Sequence, residues 1–266
     1  MNLKPEHKEY ILKHEQDIKE GNWENFFEPG KYPIGIGAPL YLANIPFMNA
    51  LRYLPKEVFA YCNSLTSITI PMGVTSIEDH AFLKCARLTS ITIPDSITSI
   101  GFFAFCLCDS LQSITIPASV TTIGYGAFEE CTSLASIEIP EGVTSISERT
   151  FSRCTSLTSI TIPSNVTSIY KEAFSYCKGL SSVTIQKGVI SIGRAAFFNC
   201  SKLTSITIPN TVTSIEDDAF SYIPTELVIT YDGTKAEWRQ IYKKQAFTYT
   251  YFTVKCTDGQ IVKKRK

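Results

Sequence analysis

Several ordinary sources of chemistry are scarce in this 266-residue chain: it has three histidines, two tryptophans and three methionines. His7 and His14 lie seven residues apart in an N-terminal helical pattern, and His80 stands alone, so no histidine set shows metal-ligand spacing. There is no C-x-x-C pair, glycine-rich phosphate loop, nucleophile elbow or H-E-x-x-H, which removes the familiar metal, nucleotide and hydrolase signatures. The adjacent carboxylates Glu129-Glu130 and Asp217-Asp218 sit on turn-like segments as solvated charges, not as acid/base dyads. Net charge is missing too, since 25 Lys and Arg balance 25 Asp and Glu. No field therefore favours nucleic acid or an anionic membrane, and the basic end Lys263 to Lys266 reads as a solubilising terminus. No apolar run is long enough to span a bilayer, and the start, Met1 to His7, is polar. The expectation is a cytoplasmic protein with no cofactor, metal, nucleic-acid or membrane partner, monomeric or weakly oligomeric.

Cysteine and phenylalanine, by contrast, recur strictly. Cys62, Cys85, Cys108, Cys131, Cys154, Cys177 and Cys200 are spaced 23 residues apart. Phe59, Phe82, Phe105, Phe128, Phe151, Phe174, Phe197 and Phe220 keep the same step. A period this short marks a solenoid, in which each repeat covers the apolar face of the next. The odd count of nine cysteines, seven of them in register with the repeat, argues against a disulfide framework. The column reads instead as small buried side chains, reduced, one per layer. Cys106, outside the column, is expected at the surface.

The unit reads L-T-S-I-T-I-P-x-x-V-T-S-I-x-x-x-A-F-x-x-C-x-x. In its first stretch Ile68 and Ile70 alternate with Ser67 and Thr69, which is strand chemistry with isoleucine inward. Pro71 and its equivalents end the strand, because proline cannot donate to a neighbouring ladder. Val74 and Ile77 mark a second short extended piece. The A-F-x-x-C segment has helix-like spacing but little length, so one helical or 3₁₀ turn is expected.

Leu65, Ile68 and Ile70 match the leucine-rich-repeat pattern L-x-x-L-x-L, and the full unit resembles the BspA-like branch of that family from Leu54 to about Tyr222. The resemblance implies an α/β solenoid: a right-handed superhelix of 23-residue repeats with a parallel sheet on one face and short helical or 3₁₀ turns opposite. It also implies a role in binding other molecules and no catalytic residues. Many members are secreted or surface-anchored. This sequence shows neither feature and is similar to compact members from gut microbes and their phages, where a virion-associated location would follow.

Three regions are expected: a helical cap over 1–53, the solenoid over 54–224, and a strand, helix and hairpin cap over 225–266. The N-terminal cap includes a helix over Pro5–Glu20. The C-terminal cap has a strand from Leu227, a helix from Lys235 to Lys243 with Trp238 and Ile241 inward, and a hairpin turning at Asp258-Gly259.

Two surfaces are left for recognition. The sheet face carries Ser67 and Thr69 with their equivalents, interrupted by Glu138. The variable edge before each A-F pair carries Phe102, Phe103 and Tyr125 on adjacent coils, then Tyr170, Tyr176 and Tyr222 further along. Exposed aromatics at variable positions are where binding energy concentrates. The candidate contact residues are therefore Phe102, Phe103, Tyr125, Glu138, Tyr170 and Tyr176, facing a protein or glycan partner. The alternatives are a spacer subunit of a phage particle or other assembly and, more remotely, an enzyme with its site in the caps.

Overall fold

The computed structural model describes residues 52–54 and 56–263. The expected N-terminal cap over 1–53, with its helix and with His7 and His14, lies outside them except for its last two residues, of which Tyr53 opens a short strand with Leu54. Nine coils stack along one axis. Their inner columns are those the repeat marks: Phe59, Phe82, Phe105, Phe128, Phe151, Phe174, Phe197, Phe220 and Phe247 are all fully buried. Successive rings are stacked, with centroids 5.1–5.6 Å apart and planes within 20°. Ordinary strand spacing is about 4.8 Å, so flat rings are among the few large side chains that fit one per coil at nearly that step.

Around this spine the seven coils from Ser67 to Phe220 each contribute two extended pieces. The first, such as Ser67–Thr69 or Ser159–Ile162, pairs in parallel and in register with its equivalent one repeat later. Identical residues therefore face one another: Ser159 against Ser182, Ile160 against Val183, Thr161 against Thr184. The second piece, such as Ser76–Ile77, does the same against Ser99–Ile100. Pairing on the first face falls into separate ladders, one joining Ser67–Thr69 to Ser90–Thr92, one joining Ser113–Ile114 to Ser136–Ile137, and a six-stranded sheet beginning at Ser159.

The A-F-x-x-C segments are turns, not the helical or 3₁₀ turns expected. Backbone N–H groups there alternate in direction. His80, Phe82 and Lys84 donate to the next coil, at Phe102, Ala104 and Cys106, while Ala81, Leu83 and Cys85 close turns onto residues three positions back. A helix would spend every N–H inside its own coil and, at a diameter of about 10–12 Å, would not fit between coils stacked this closely. The alternation requires two left-handed residues per coil, for instance His80 at φ 58° and Lys84 at φ 57°.

Six of the seven column cysteines also do more than fill space. The thiols of Cys85, Cys108, Cys131, Cys154, Cys177 and Cys200 donate to the phenylalanine carbonyl of the preceding coil at 3.0–3.2 Å. All nine cysteines are free. Burial pushes the Cys177 thiol up to about 12 and raises Cys131 and Cys154 as well. Cys106 is buried, correcting the expectation of an exposed residue. Its thiol is pushed up to about 12 by burial, with Glu129 and Glu130 adding to the effect.

At the C-terminal end the strand Glu226–Tyr231 continues the parallel sheet, and Tyr251–Cys256 continues it again before an antiparallel return along Gly259–Lys263. Between these strands, the helix Lys235–Ile241 buries Trp238 and Ile241. It opens with a capping box in which Thr234 accepts from the Glu237 N–H and Glu237 accepts from the Thr234 N–H. The helix is an insertion within a coil: Phe247 follows Phe220 by 27 residues yet stacks on it at 5.2 Å. Thr250 takes the cysteine slot, and its hydroxyl donates to the Phe220 carbonyl at 2.6 Å. Among the described residues no helix is long and apolar enough to cross a membrane.

Candidate interaction surface

The edge beside the turns divides into three stretches. The first holds the expected aromatic cluster, and the structure qualifies it. Phe103 is half-buried between His80, stacked at 5.4 Å, and Tyr125, edge-on at 4.9 Å. Two glycines of the next coil make the room. A Cβ at Gly126 would meet the Phe103 ring and one at Gly124 the Phe102 ring, each 2.7 Å or less away. The Gly124-Tyr125-Gly126 sequence is thus the complement of Phe102-Phe103. Phe102 remains 55% exposed, whereas Phe103 and Tyr125 are partly structural. His80 Nδ1 is enclosed there without a hydrogen-bond partner among the described residues.

The second stretch is charged. Arg149 reaches Glu172 at 2.7 Å, Lys171 reaches Glu148 at 3.0 Å and Glu172 at 3.5 Å, and Arg153 reaches Glu130 at 3.6 Å. All but the Lys171–Glu172 pair join neighbouring coils, across a partly solvated surface where each contributes little to stability. Glu129 is held above the usual carboxylate range, mainly by burial.

The third stretch is aromatic again and longer than the sequence reading made it. Tyr176 contacts Phe198 at 5.5 Å, Phe198 contacts Tyr222 at 5.0 Å, and Tyr222 contacts Tyr249 at 5.0 Å. The Arg153 guanidinium lies 5.3 Å from the Tyr176 ring centre, linking the charged stretch to this ridge. Phe198 and Tyr249 were not among the candidates. Phe198 sits one position after a column phenylalanine, where other coils carry Leu83 or Ser152, and Tyr249 follows the helical insertion that shifts the repeat. Tyr170 is exposed but makes no ring contact with this ridge.

Glu138 is exposed on the opposite, sheet face, apart from both aromatic stretches. There Thr89 donates to the Thr66 carbonyl at 2.9 Å, and beside the second extended piece Thr98 donates likewise to the Thr75 carbonyl at 3.1 Å. A shallow depression of about 500 Å³ near the C-terminal end of this face is lined by Gln186, Lys187, Pro209, Asp232 and Lys255. The Lys187–Asp232 ion pair, at 2.9 Å, is part of that lining. Among the described residues no group of three or more His, Cys, Asp or Glu side chains could hold a metal ion.

These coils place the chain in a known class. The family model for the BspA type leucine-rich repeat region matches in overlapping stretches, 52–181, 98–227 and 167–250, and the chain belongs to that family. It is similar to the crystal structure of a leucine-rich-repeat protein from T. pallidum, at 30% identity and a TM-score of 0.52, covering 56% of this chain and 69% of that one. It is also similar to a leucine-rich-repeat protein from Bacteroides ovatus, at 28% identity and a TM-score of 0.47, covering 66% of this chain and 58% of that one. No curated protein matches the sequence.

Proposed function

We propose that this chain is a non-enzymatic interaction protein that presents the edge of a rigid solenoid to a protein or glycan partner. The observation that carries the reading is a division of labour. Inward columns of phenylalanine, cysteine, isoleucine and leucine hold the coils together. Phe102, Tyr222 and Tyr249, in turn, stay 46–69% exposed on backbone tied coil to coil. Rings held on such a frame lose little freedom when they bind, which is the advantage of preorganisation. The test is capture by the immobilised full chain, wild type against Phe102→Ser and against the Tyr222→Ala/Tyr249→Ala double variant. A protein or glycan retained by the wild type and lost from one of the variants supports the reading. Identical capture by all three counts against it.

A further inference from the structure

The ridge from Tyr176 to Tyr249 is built from side chains the fold does not call for. Tyr176, Tyr222 and Tyr249 occupy the slot just before the column position, in left-handed backbone with φ 55–59°. Other coils fill the same slot with Tyr61, Lys84, Leu107, Glu130, Arg153 and Asn199 at φ 55–61°. The backbone therefore does not select an aromatic ring, and left-handed geometry disfavours bulky residues in general. In the coil where the slot holds Asn199, the ring comes from Phe198, one position earlier, so the row of rings stays unbroken.

We propose that this ridge binds a carbohydrate chain by stacking pyranose rings along Tyr176, Phe198, Tyr222 and Tyr249. The inference rests on the interaction-protein reading and names the class of partner. Three features point to sugar. The ridge is a single row of four rings, with Tyr222 and Tyr249 exposed and Tyr176 and Phe198 only partly so, which by themselves offer less than the roughly 800 Å² per partner of a stable protein interface. Its backbone is already spent: the Tyr176 N–H donates to Phe198 at 2.7 Å, Asn199 to Ser221 at 2.9 Å and Tyr222 to Thr248 at 2.9 Å. An extended peptide that relies on main-chain hydrogen bonds finds no open edge there. What remains is a row of ring surfaces tilted 48–59° to one another. A pyranose offers the matching surface, a face of C–H groups bordered by hydroxyls, and tyrosine suits such half-apolar contacts.

The experiment is calorimetric titration of the full chain with cello-, xylo-, manno- and chitohexaose, alongside near-ultraviolet circular dichroism of the tyrosine band. At least one hexaose is expected to bind and to shift the tyrosine signal. The Tyr222→Ala/Tyr249→Ala double variant should weaken that binding by about tenfold or more, and Met72→Ala, at an exposed position away from the ridge, should leave it within about twofold. Tyr222→Phe/Tyr249→Phe, which keeps the rings, should retain most of the affinity, and this separates stacking from a folding defect. Silence with all four sugars, or affinity that survives the double alanine change, overturns the inference. A protein captured by the wild type and lost with Tyr222→Ala/Tyr249→Ala, when no sugar binds, would also overturn it while leaving the interaction-protein reading standing. Failure of both binding assays would remove both.

Discussion

Cys131 shows how much a single inward position specifies. Its thiol donates to the Phe105 carbonyl at 3.1 Å, a contact repeated by five other column cysteines. Thr250 replaces that donor with a hydroxyl at the end of the array, and Ile223 fills the slot with no donor at all. If only volume mattered, valine and threonine, which have nearly the same shape, would be equivalent at position 131. Because the Phe105 carbonyl, which already accepts from the Cys108 N–H at 3.2 Å, takes a second donor here, Cys131→Thr should be more stable than Cys131→Val by about 1 kcal/mol in urea unfolding. Equal stability would reduce the column to space-filling. The periodic cysteines and phenylalanines were legible as core from spacing alone. Cys106 was not, because it follows a column phenylalanine at a position whose occupant varies from coil to coil. Phe247 was also hidden, since the helical insertion moves it out of the 23-residue step.

Among elements, the turns decide what each coil tolerates. Gly73 and Gly188 occupy the same turn slot five repeats apart, both at positive φ, 105° and 140°. A Cβ at Gly73 would meet nothing within 4 Å, whereas one at Gly188 would run into the Ser164 carbonyl oxygen. Gly73→Ala should therefore cost only the backbone strain, about 1 kcal/mol, and Gly188→Ala about 2 kcal/mol more. Similar losses at both, read from chemical denaturation, would mean that the neighbouring coil yields. Alternation of isoleucine with serine and threonine predicted the strands well, because period-two burial is written in residue type. The turn geometry was not legible in this way. Helix-like spacing in A-F-x-x-C cannot reveal that every second N–H leaves for the next coil, and the complement between Phe103 and Gly126 appears only once the coils are in register.

For the whole molecule the buried thiols accumulate into a pH response. Seven buried thiols are held above the usual range: Cys62, Cys106, Cys108, Cys131, Cys154, Cys177 and Cys200. An acid whose pKa rises on folding stays neutral in the fold and ionises in the unfolded chain, so unfolding at high pH releases protons. Stability is then complete below the unfolded cysteine value of about 8.5 and falls as pH rises towards 12, by up to about 1.4 kcal/mol per thiol per pH unit. Urea unfolding at pH 8, 9 and 10 should show this steepening loss, and Cys131→Thr with Cys154→Thr should flatten it by two proton equivalents. A stability that does not change over that interval would mean the thiols ionise as readily inside as outside.

The proposed recognition surface is less legible than the spine, since its edge residues vary and follow no period. The account stands on the separation of those residues from the spine, and urea denaturation of two variants tests it directly. Phe128→Ala, removing a fully buried ring stacked at 5.3 Å on Phe105 and 5.6 Å on Phe151, should cost about 3–5 kcal/mol. Tyr222→Ala, on the ridge, should cost at most about 1.5 kcal/mol, the scale of its ring contacts. A ridge variant as damaging as the spine variant would contradict the separation, because the ridge would then belong to the fold and not be free for a partner.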